Sequence, residues 1–505
     1  MASSDHTNVC GSPNPAYKLV KDIVIDIKNE PEDHNTTKYN IYRVPGNLRN
    51  VNKDAYTPQL VSIGPLHYGQ KKLNPMQTQK LRYLNLFWDR LKNNSAEAKM
   101  EKFKKFLEEK EEAIQLRYAE KLRDNIRKKL VEMMLLDSVF IMELLLRIQK
   151  QKSPEEDRTY SDDIILKQSW LKKSIQRDFL LLENQIPLFI LVELYDNVVP
   201  ETDKMRPTFI ELAHDYFECF HTYKKGDSSS TGESGGSSDF NCKPSKNCNI
   251  NSVSGFQKKS SSSRFKKLRE NWENDPQHFT DLIRSFYIFK SLHPDEKGSQ
   301  LTTATKLREA GVSFEKVINR PLLDINFQKI RPLSWFLCLG CIPKFTHFKA
   351  RLQIPELKIQ DSTECVLRNL IAFEQCHYPD QPYICNYVAF IDSLIHTKDD
   401  VELLVEKEVI VHELGSDKEV ATLVNSLCKH VVTDKTCYRG LIDSLNKHYQ
   451  RQWNRSMAAL RLVYFRDAWR ASSTLVATAV LVFTIFNFCR VVRLVLDLEA
   501  GGRQP

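Results

Sequence analysis

The chain has 505 residues, of which 41% are hydrophobic, 27% charged and 10% aromatic. That composition excludes a disordered or collagen-like polymer, and the length leaves room for roughly two to four domain-sized units. Lys and Arg exceed Asp and Glu by 73 − 64 = 9, an excess too mild over this length to point to nucleic acid.

Residues 1–40 read as a flexible polar arm. They contain no apolar run of signal-peptide length and no basic stretch ahead of one, and position 2 is Ala where myristoylation needs Gly. Residues 41–223 form the N-terminal, helical part of the body. Within it, Arg90 to Lys129 mixes Lys, Arg and Glu with spaced Phe103, Phe106, Ile114 and Leu122, and predicts a long helical segment with a solvated outer face. Ile126, Leu130, Met133, Ile141, Leu144 and Ile148 then recur at helical spacing, and Asp137 falls on that apolar stripe. The block Phe179 to Tyr195 carries Glu183, Asn184 and Gln185 at its centre. Pro187 there suits the first turn of a new helix, which places a break at Asn184 or Gln185.

Residues 224–263 are a Ser/Gly-rich insert, too poor in apolar groups to offset ordering entropy, and read as a disordered spacer. Residues 264–446 form the C-terminal part of the body. Two short alternating runs, Pro321 to Phe327 and Gln353 to Ile359, predict strands that pair as a small sheet. Thr363 to Cys376 returns to helix, with Asp361 or Ser362 as N-cap. Lys398 to Cys437 holds two further helices separated by a turn around Gly415.

Residues 447–470 predict a basic juxtamembrane helix bearing Arg455, Arg461, Arg466 and Arg470. From Ala471 to Cys489 run nineteen residues without a charge, closed by Arg490. As a helix they span ~28 Å, close to the ~30 Å hydrocarbon core. Their nine Leu, Ile, Val and Phe residues favour insertion by roughly 3 to 5 kcal/mol, before Ser, Thr and Asn subtract from it. Trp469 and the flanking arginines favour a transmembrane helix over the alternative, a helix buried in a soluble core. The larger number of arginines upstream places the bulk in the cytosol and residues 490–505 as a short tail, the arrangement of a tail anchor. The opposite orientation would expose sequons at Asn35, Asn93 and Asn454 to glycosylation.

Chemistry is less forthcoming. The chain has no Walker, dinucleotide-binding, nucleophile-elbow or HExxH pattern. Cys338 and Cys341 form a lone CxxC, with Cys242 and Cys248 as remote candidate thiolates, and twelve cysteines in all are an ordinary intracellular complement. His67, between two turn glycines, is expected at the surface. Asp137, Glu183, Asn184, Gln185, Glu374 and Gln375 all lie within apolar segments, with Arg177 and Arg368 as nearby counter-charges. They read either as a buried hydrogen-bond network, with Arg177 or Arg368 reaching at least one of the acids, or as a carboxylate pair for hydrolysis.

Several blocks follow one another in a familiar order: IYRVPGNLRNVNKDAYTPQLVSIGPLHYG from Ile41, MMLLDSVFIMELL from Met133, RDFLLLENQIPLFIL from Arg177 and ATKLREAGVSF from Ala304. They continue with IPELKIQDSTECVLRNLIAFEQC and VELLVEKEVIVHELGSDKEVATLVNSLC. This series resembles the plant-specific domain of unknown function 247 over about Ile41 to Cys489. Two departures are Ser138, where Gly is expected, and the Ser/Gly insert. The resemblance implies a largely helical plant protein with a C-terminal membrane span and no established enzymatic activity. Some members in grasses are linked to self-incompatibility, but no motif here marks those members. The resulting expectation is a mainly α-helical, multi-helix body with at most a small β element and one C-terminal transmembrane helix. It would be single-pass, at the plasma membrane or else an endomembrane, and act by recognition or signalling through an unidentified protein partner. It would bind lipid through the C-terminal helix, without cofactor, metal, nucleic acid or catalysis. An unrecognised hydrolase and a structural tether are the alternatives.

Overall fold

The structure, a computed structural model, describes residues 39–91, 96–151, 163–220, 265–266, 269–270, 272, 274–289, 292–296, 300–318, 320–329, 350–450 and 468–501. The polar arm up to residue 38, the Ser/Gly insert, all three sequons, the four cysteines at 242, 248, 338 and 341, and Arg455, Arg461 and Arg466 lie outside them.

The N-terminal half is helical: α1 Asn74–Leu91, α2 Ala96–Glu109, α3 Leu130–Gln151, α4 Ser169–Leu180, α5 Leu188–Asn197 and α6 Phe209–Tyr216; α7 Phe279–Ser285 opens the C-terminal half. α3 is the axis of the N-terminal half, packed against α1, α2, α5 and α6. Residues Asp137 to Arg147 are buried without interruption, because helices cover α3 on every side rather than on one stripe. Ser138 is buried too, and its hydroxyl donates back to the Leu135 carbonyl at 3.1 Å.

The charged stretch before α3 is not one long helix. It breaks after Glu109, resumes for one short piece at Glu111–Gln115, and again at Asp124–Arg127. The intervening Tyr118 forms an isolated bridge with Ile41. The break ahead of α5 is longer than its central polar residues suggested: Leu181 to Pro187 are all non-helical, and Pro187 is the N-cap of α5 rather than its first residue.

The C-terminal half adds β1 Val312–Val317, β2 Asn326–Lys329, β3 Ala350–Pro355, β4 Leu357–Ile359, α8 Asp361–His377, α9 Tyr383–Leu394, α10 Lys398–Glu406, β5 Ile410–His412, α11 Asp417–Leu427 and α12 Arg439–Tyr449. The two anticipated strands are met only in part: the first run is extended from Asn326 on, and the second is split at Glu356 between β3 and β4, β4 pairing with β5 instead. Where they overlap they do pair, β2 running antiparallel to β3 with Asn326 opposite Gln353. β1 lies parallel on the other edge of β3, with Val312 opposite Ala350. Ala350, Leu352 and Ile354 face the core while Arg351 and Gln353 alternate outward. The N-cap of α8 is Gln360, one residue ahead of the expected pair, and its N–H donates to the Thr363 hydroxyl at 2.9 Å.

The last helix, α13 Ala468–Gly501, contains a window from Leu475 to Arg493 long and apolar enough to cross a membrane. None of that window is buried against the rest of the chain. Leu475 is 63% exposed, Phe483 67% and Phe488 68%, so α13 is not the core helix of a soluble body. The window begins four residues inside Ala471 and reaches past Cys489 to include Arg490. Among the described residues the architecture is mainly α, with three small sheets (the three-stranded one, β4 beside β5, and Asp295–Glu296 beside Lys435–Thr436) and this one candidate span.

Candidate functional site

The buried polar residues meet around a segment with little regular structure. Residues 39–69 make two short turns, Gly46–Arg49 and Asp54–Tyr56, and otherwise run irregularly. Yet Ile41, Val44, Val61 and Ile63 in it are buried. Main-chain N–H and C=O groups buried without a helix or sheet partner must find partners elsewhere.

The side chains near the end of α4, in the loop after it and in α3 provide them. Asp178 accepts N–H bonds from Gln59 at 3.0 Å, Leu60 at 2.7 Å and Val61 at 3.0 Å. The Asn184 amide accepts from Ile63 N–H at 2.7 Å and donates to the Val61 carbonyl at 3.0 Å. Asp137 accepts from Gly64 N–H at 2.8 Å and is ion-paired with Lys80, whose ammonium also donates to the Ser62 carbonyl. Glu183 accepts from Val44 N–H at 2.7 Å and pairs with Arg49 and with His67 at 3.1 Å. Gln185 donates to the Phe179 and Leu181 carbonyls at 2.6 and 2.7 Å and accepts from Phe279 N–H at 2.9 Å.

The electrostatics follow these contacts. Burial raises the Glu183 carboxyl, but hydrogen bonds from His67 and Arg49, the Arg49 charge and the Val44 N–H outweigh it, so its pKa falls below the ordinary value. Asp178 stays above its ordinary value because burial outweighs its three backbone donors and Arg177. The same balance raises Asp137, against the opposing charge of Lys80.

A second polar group, within the C-terminal half, joins α7, α8 and α9. Glu374 is fully buried and accepts from Arg284 Nε at 2.9 Å and from Cys385 N–H at 2.9 Å. The Arg284 guanidinium lies 3.8 Å from the Tyr378 ring centroid. Burial raises the Glu374 carboxyl, opposed by Arg284 and two backbone donors. Gln375, half-buried, exchanges two bonds with the backbone of Val432, at 2.9 and 3.1 Å.

The two arginines expected to serve the acids serve others. Arg177 pairs with its neighbour Asp178 at 3.1 Å and donates to the Asp54 carbonyl, and Arg368 pairs with Glu364 at 2.7 Å and donates to the Ser426 hydroxyl at 2.8 Å. The cations that reach Asp137, Glu183 and Glu374 are Lys80, Arg49 and Arg284. Lys80 was legible: it stands on the buried face of α1 with Met76, Tyr83 and Phe87, at steps of three and four. A lysine on one apolar face calls for an acid on another. His67 is 4% exposed rather than at the surface, because it lies against Glu183 and Gln70.

Chemically, each of the three acids already has a cation and a backbone N–H. None lines the open concavity whose walls include Leu84, Trp88, Met100 and Leu135. Among the described residues no three of His, Cys, Asp and Glu gather where they would hold a metal ion.

A family model described as a plant protein of unknown function, DUF247, matches residues 41–483. The chain belongs to the DUF247 family. The match begins at the irregular segment and ends inside the apolar window of α13. This DUF247 chain is similar to UPF0481 protein At3g47200 of Arabidopsis thaliana, with 26% identity over 88% of this chain and 85% of that one. It is also similar to the putative UPF0481 protein At3g02645 of the same plant, with 23% identity over 90% of this chain and 91% of that one. No solved structure matches the DUF247 chain significantly.

Proposed function

We propose that this protein is a single-pass membrane protein whose helical body sits in the cytosol and recognises a protein partner without catalysing a reaction. The observation that carries the membrane half is the uncovered apolar surface of α13. Water-exposed Leu, Val, Ile and Phe along a helix of this length find burial in hydrocarbon. At ~1.5 Å per residue its 34 residues reach ~51 Å, so the helix clears a ~30 Å core with turns to spare. Arg490 and Arg493, near the end of the window, can extend their charges to the headgroups. The arginines ahead of Ala471 favour a cytosolic body, with the plasma membrane as first location and an endomembrane as second.

The non-catalytic half is supported by the way the candidate acids are used: each one answers the main-chain groups of residues 39–69 or the start of α9. A membrane anchor then raises the effective concentration of the body near partners on the same surface.

Alkaline carbonate washing of plant microsomes tests the anchor. Full-length protein should stay with the vesicles and a chain ending at Arg470 should leave them; release of the full-length protein ends the proposal. Proximity labelling with the two forms tests the partner, whose labelling should depend on the anchor. Glycosidase-sensitive mass at Asn35, Asn93 or Asn454 would overturn the cytosolic placement.

A further inference from the structure

Beside the buried network lies an open groove of about 770 Å³ between α1, α2 and the start of α3. Its floor is apolar. Leu84 and Trp88 come from α1, Met100 from α2 and Leu135 from α3. On α1 the stripe continues outward to Leu81, which is 53% exposed. Leu81, Leu84, Asn85 and Trp88 follow the i, i+3, i+4, i+7 spacing of one helix face. Two helices of a body usually cover such a face with a third; among the described residues lining this one, Leu135 of α3 is the one that comes from outside α1 and α2.

The lip on the α2 side carries charge. Glu97 and Glu101 stand one turn apart, both exposed, and neither has a basic partner within ion-pair distance among the described residues. Lys104, the cation on that lip, lies 3.9 Å from Glu108. The groove therefore offers an apolar floor with two unanswered carboxylates along one edge.

We propose that this groove binds an amphipathic helix of a partner protein, apolar on the face that enters and bearing Lys or Arg on the flank that meets Glu97 and Glu101. A helix is ~10 Å across with a ~5.4 Å pitch, so an opening of this size takes the apolar side chains of two or three turns. The indole of Trp88 is the anchoring contact, since large rings dominate the energetics of such interfaces. The two carboxylates select the register and sign of the partner and speed its encounter. This rests on the partner-binding reading above and assigns it a surface.

The test uses the full-length protein in detergent and two helical peptides of about 15 residues with the same Leu stripe, one flanked by Arg and one by Glu. Fluorescence anisotropy should show the Arg-flanked peptide binding at least tenfold more tightly. Glu97→Lys with Glu101→Lys should reverse the preference with an unchanged unfolding midpoint. Trp88→Ala, whose ring also packs on the core, should weaken both peptides when binding is measured well below its own unfolding midpoint. Equal affinities, binding to neither peptide, or indifference to the charge reversal would overturn the proposal. So would co-purification of differently tagged copies of this chain that is lost with Trp88→Ala, since the occupant would then be a second copy. In plant cells, partner labelling that survives all three substitutions would remove the groove as the site while leaving the partner-binding reading standing.

Discussion

Asp137 is held between the Lys80 ammonium and the Gly64 N–H, all within the core. Removing the cation alone leaves a buried carboxylate without its counter-charge, which costs about 3–5 kcal/mol. Lys80→Met should therefore lower the stability of the full-length protein by that amount in urea unfolding. Adding Asp137→Asn should recover part of it, since the amide oxygen still accepts the Gly64 N–H and carries no charge. A loss under ~1 kcal/mol in the single variant would mean that Asp137 is protonated already. His278 makes a separate, pH-dependent statement. It is fully buried, its Nε2 donates to the Asn40 carbonyl at 2.8 Å, and its Nδ1 accepts the Asp281 N–H at 3.3 Å. Burial pushes its pKa down to about 3, with His377 adding to the fall and the Asn40 bond opposing it. A histidine lowered in the folded state binds its proton more readily when unfolded. Its contribution is complete above the unfolded value near ~6.5 and is lost as pH falls, by up to ~1.4 kcal/mol per unit. Asp281, whose N–H it accepts, and His377 lie beside it, and Arg284 acts on both of these, so the slope to compare is that of His278→Asn, which keeps an N-cap acceptor. The variant should lose stability less steeply between pH 6.5 and 4.5; parallel slopes would show that other groups carry the acid sensitivity.

The irregular stretch from residue 39 to 69 works as an element although it contains only two short helical turns. What holds it is a set of side chains on other elements, and its geometry is tightest at Gly64. There φ is +69°, and a Cβ would come within 2.4 Å of the Gln185 carbonyl oxygen and 3.1 Å of the Tyr118 hydroxyl. Gly64→Ala combines the left-handed penalty of ~1–2 kcal/mol with displacement of the Gln185 backbone. We expect a loss above ~2 kcal/mol in chemical denaturation, against no more than ~0.5 kcal/mol for Gly46→Ala, where nothing lies within 4 Å. Similar losses at the two positions would show that the segment is loosely held. The sequence displayed the polar residues of this element but not their use. Apolar segments interrupted by Asp137, Glu183 and Asn184 signal burial with a partner. That the partners are main-chain N–H groups of an irregular segment does not show in any periodicity. The cations were misassigned because sequence proximity suggested Arg177 and Arg368, whereas Lys80 and Arg284 reach the acids through tertiary packing. Strand β1 was missed for a related reason: its partner β3 is parallel and separated by a long connection, so no hairpin signal marks it.

At the scale of the whole molecule, the helical periodicities and the apolar C-terminal run were legible, because both are local patterns. The covering of α3 and the bareness of α13 are tertiary facts, and the second is what the proposed membrane span rests on. A helix exposing Phe483, Phe486 and Phe488 makes its body prone to association in water unless lipid covers it. The size of that drive can be bounded. The window Leu475 to Arg493 holds eleven Leu, Ile, Val and Phe residues, together worth roughly 3 to 7 kcal/mol on an insertion scale, less small polar contributions. An arginine at mid-span costs about 2.5–3.5 kcal/mol and also removes the residue it replaces. Phe483→Arg should therefore leave a divided population after carbonate washing, part with the vesicles and part released. Phe483→Arg combined with Val480→Arg, at a cost of ~6–8 kcal/mol, should release nearly all of it. In both variants the unfolding midpoint of the body should stay unchanged, because both side chains are more than half exposed and no part of the window is buried among the described residues. A falling midpoint with unaltered membrane retention would mean that α13 packs on the body and that retention arises elsewhere.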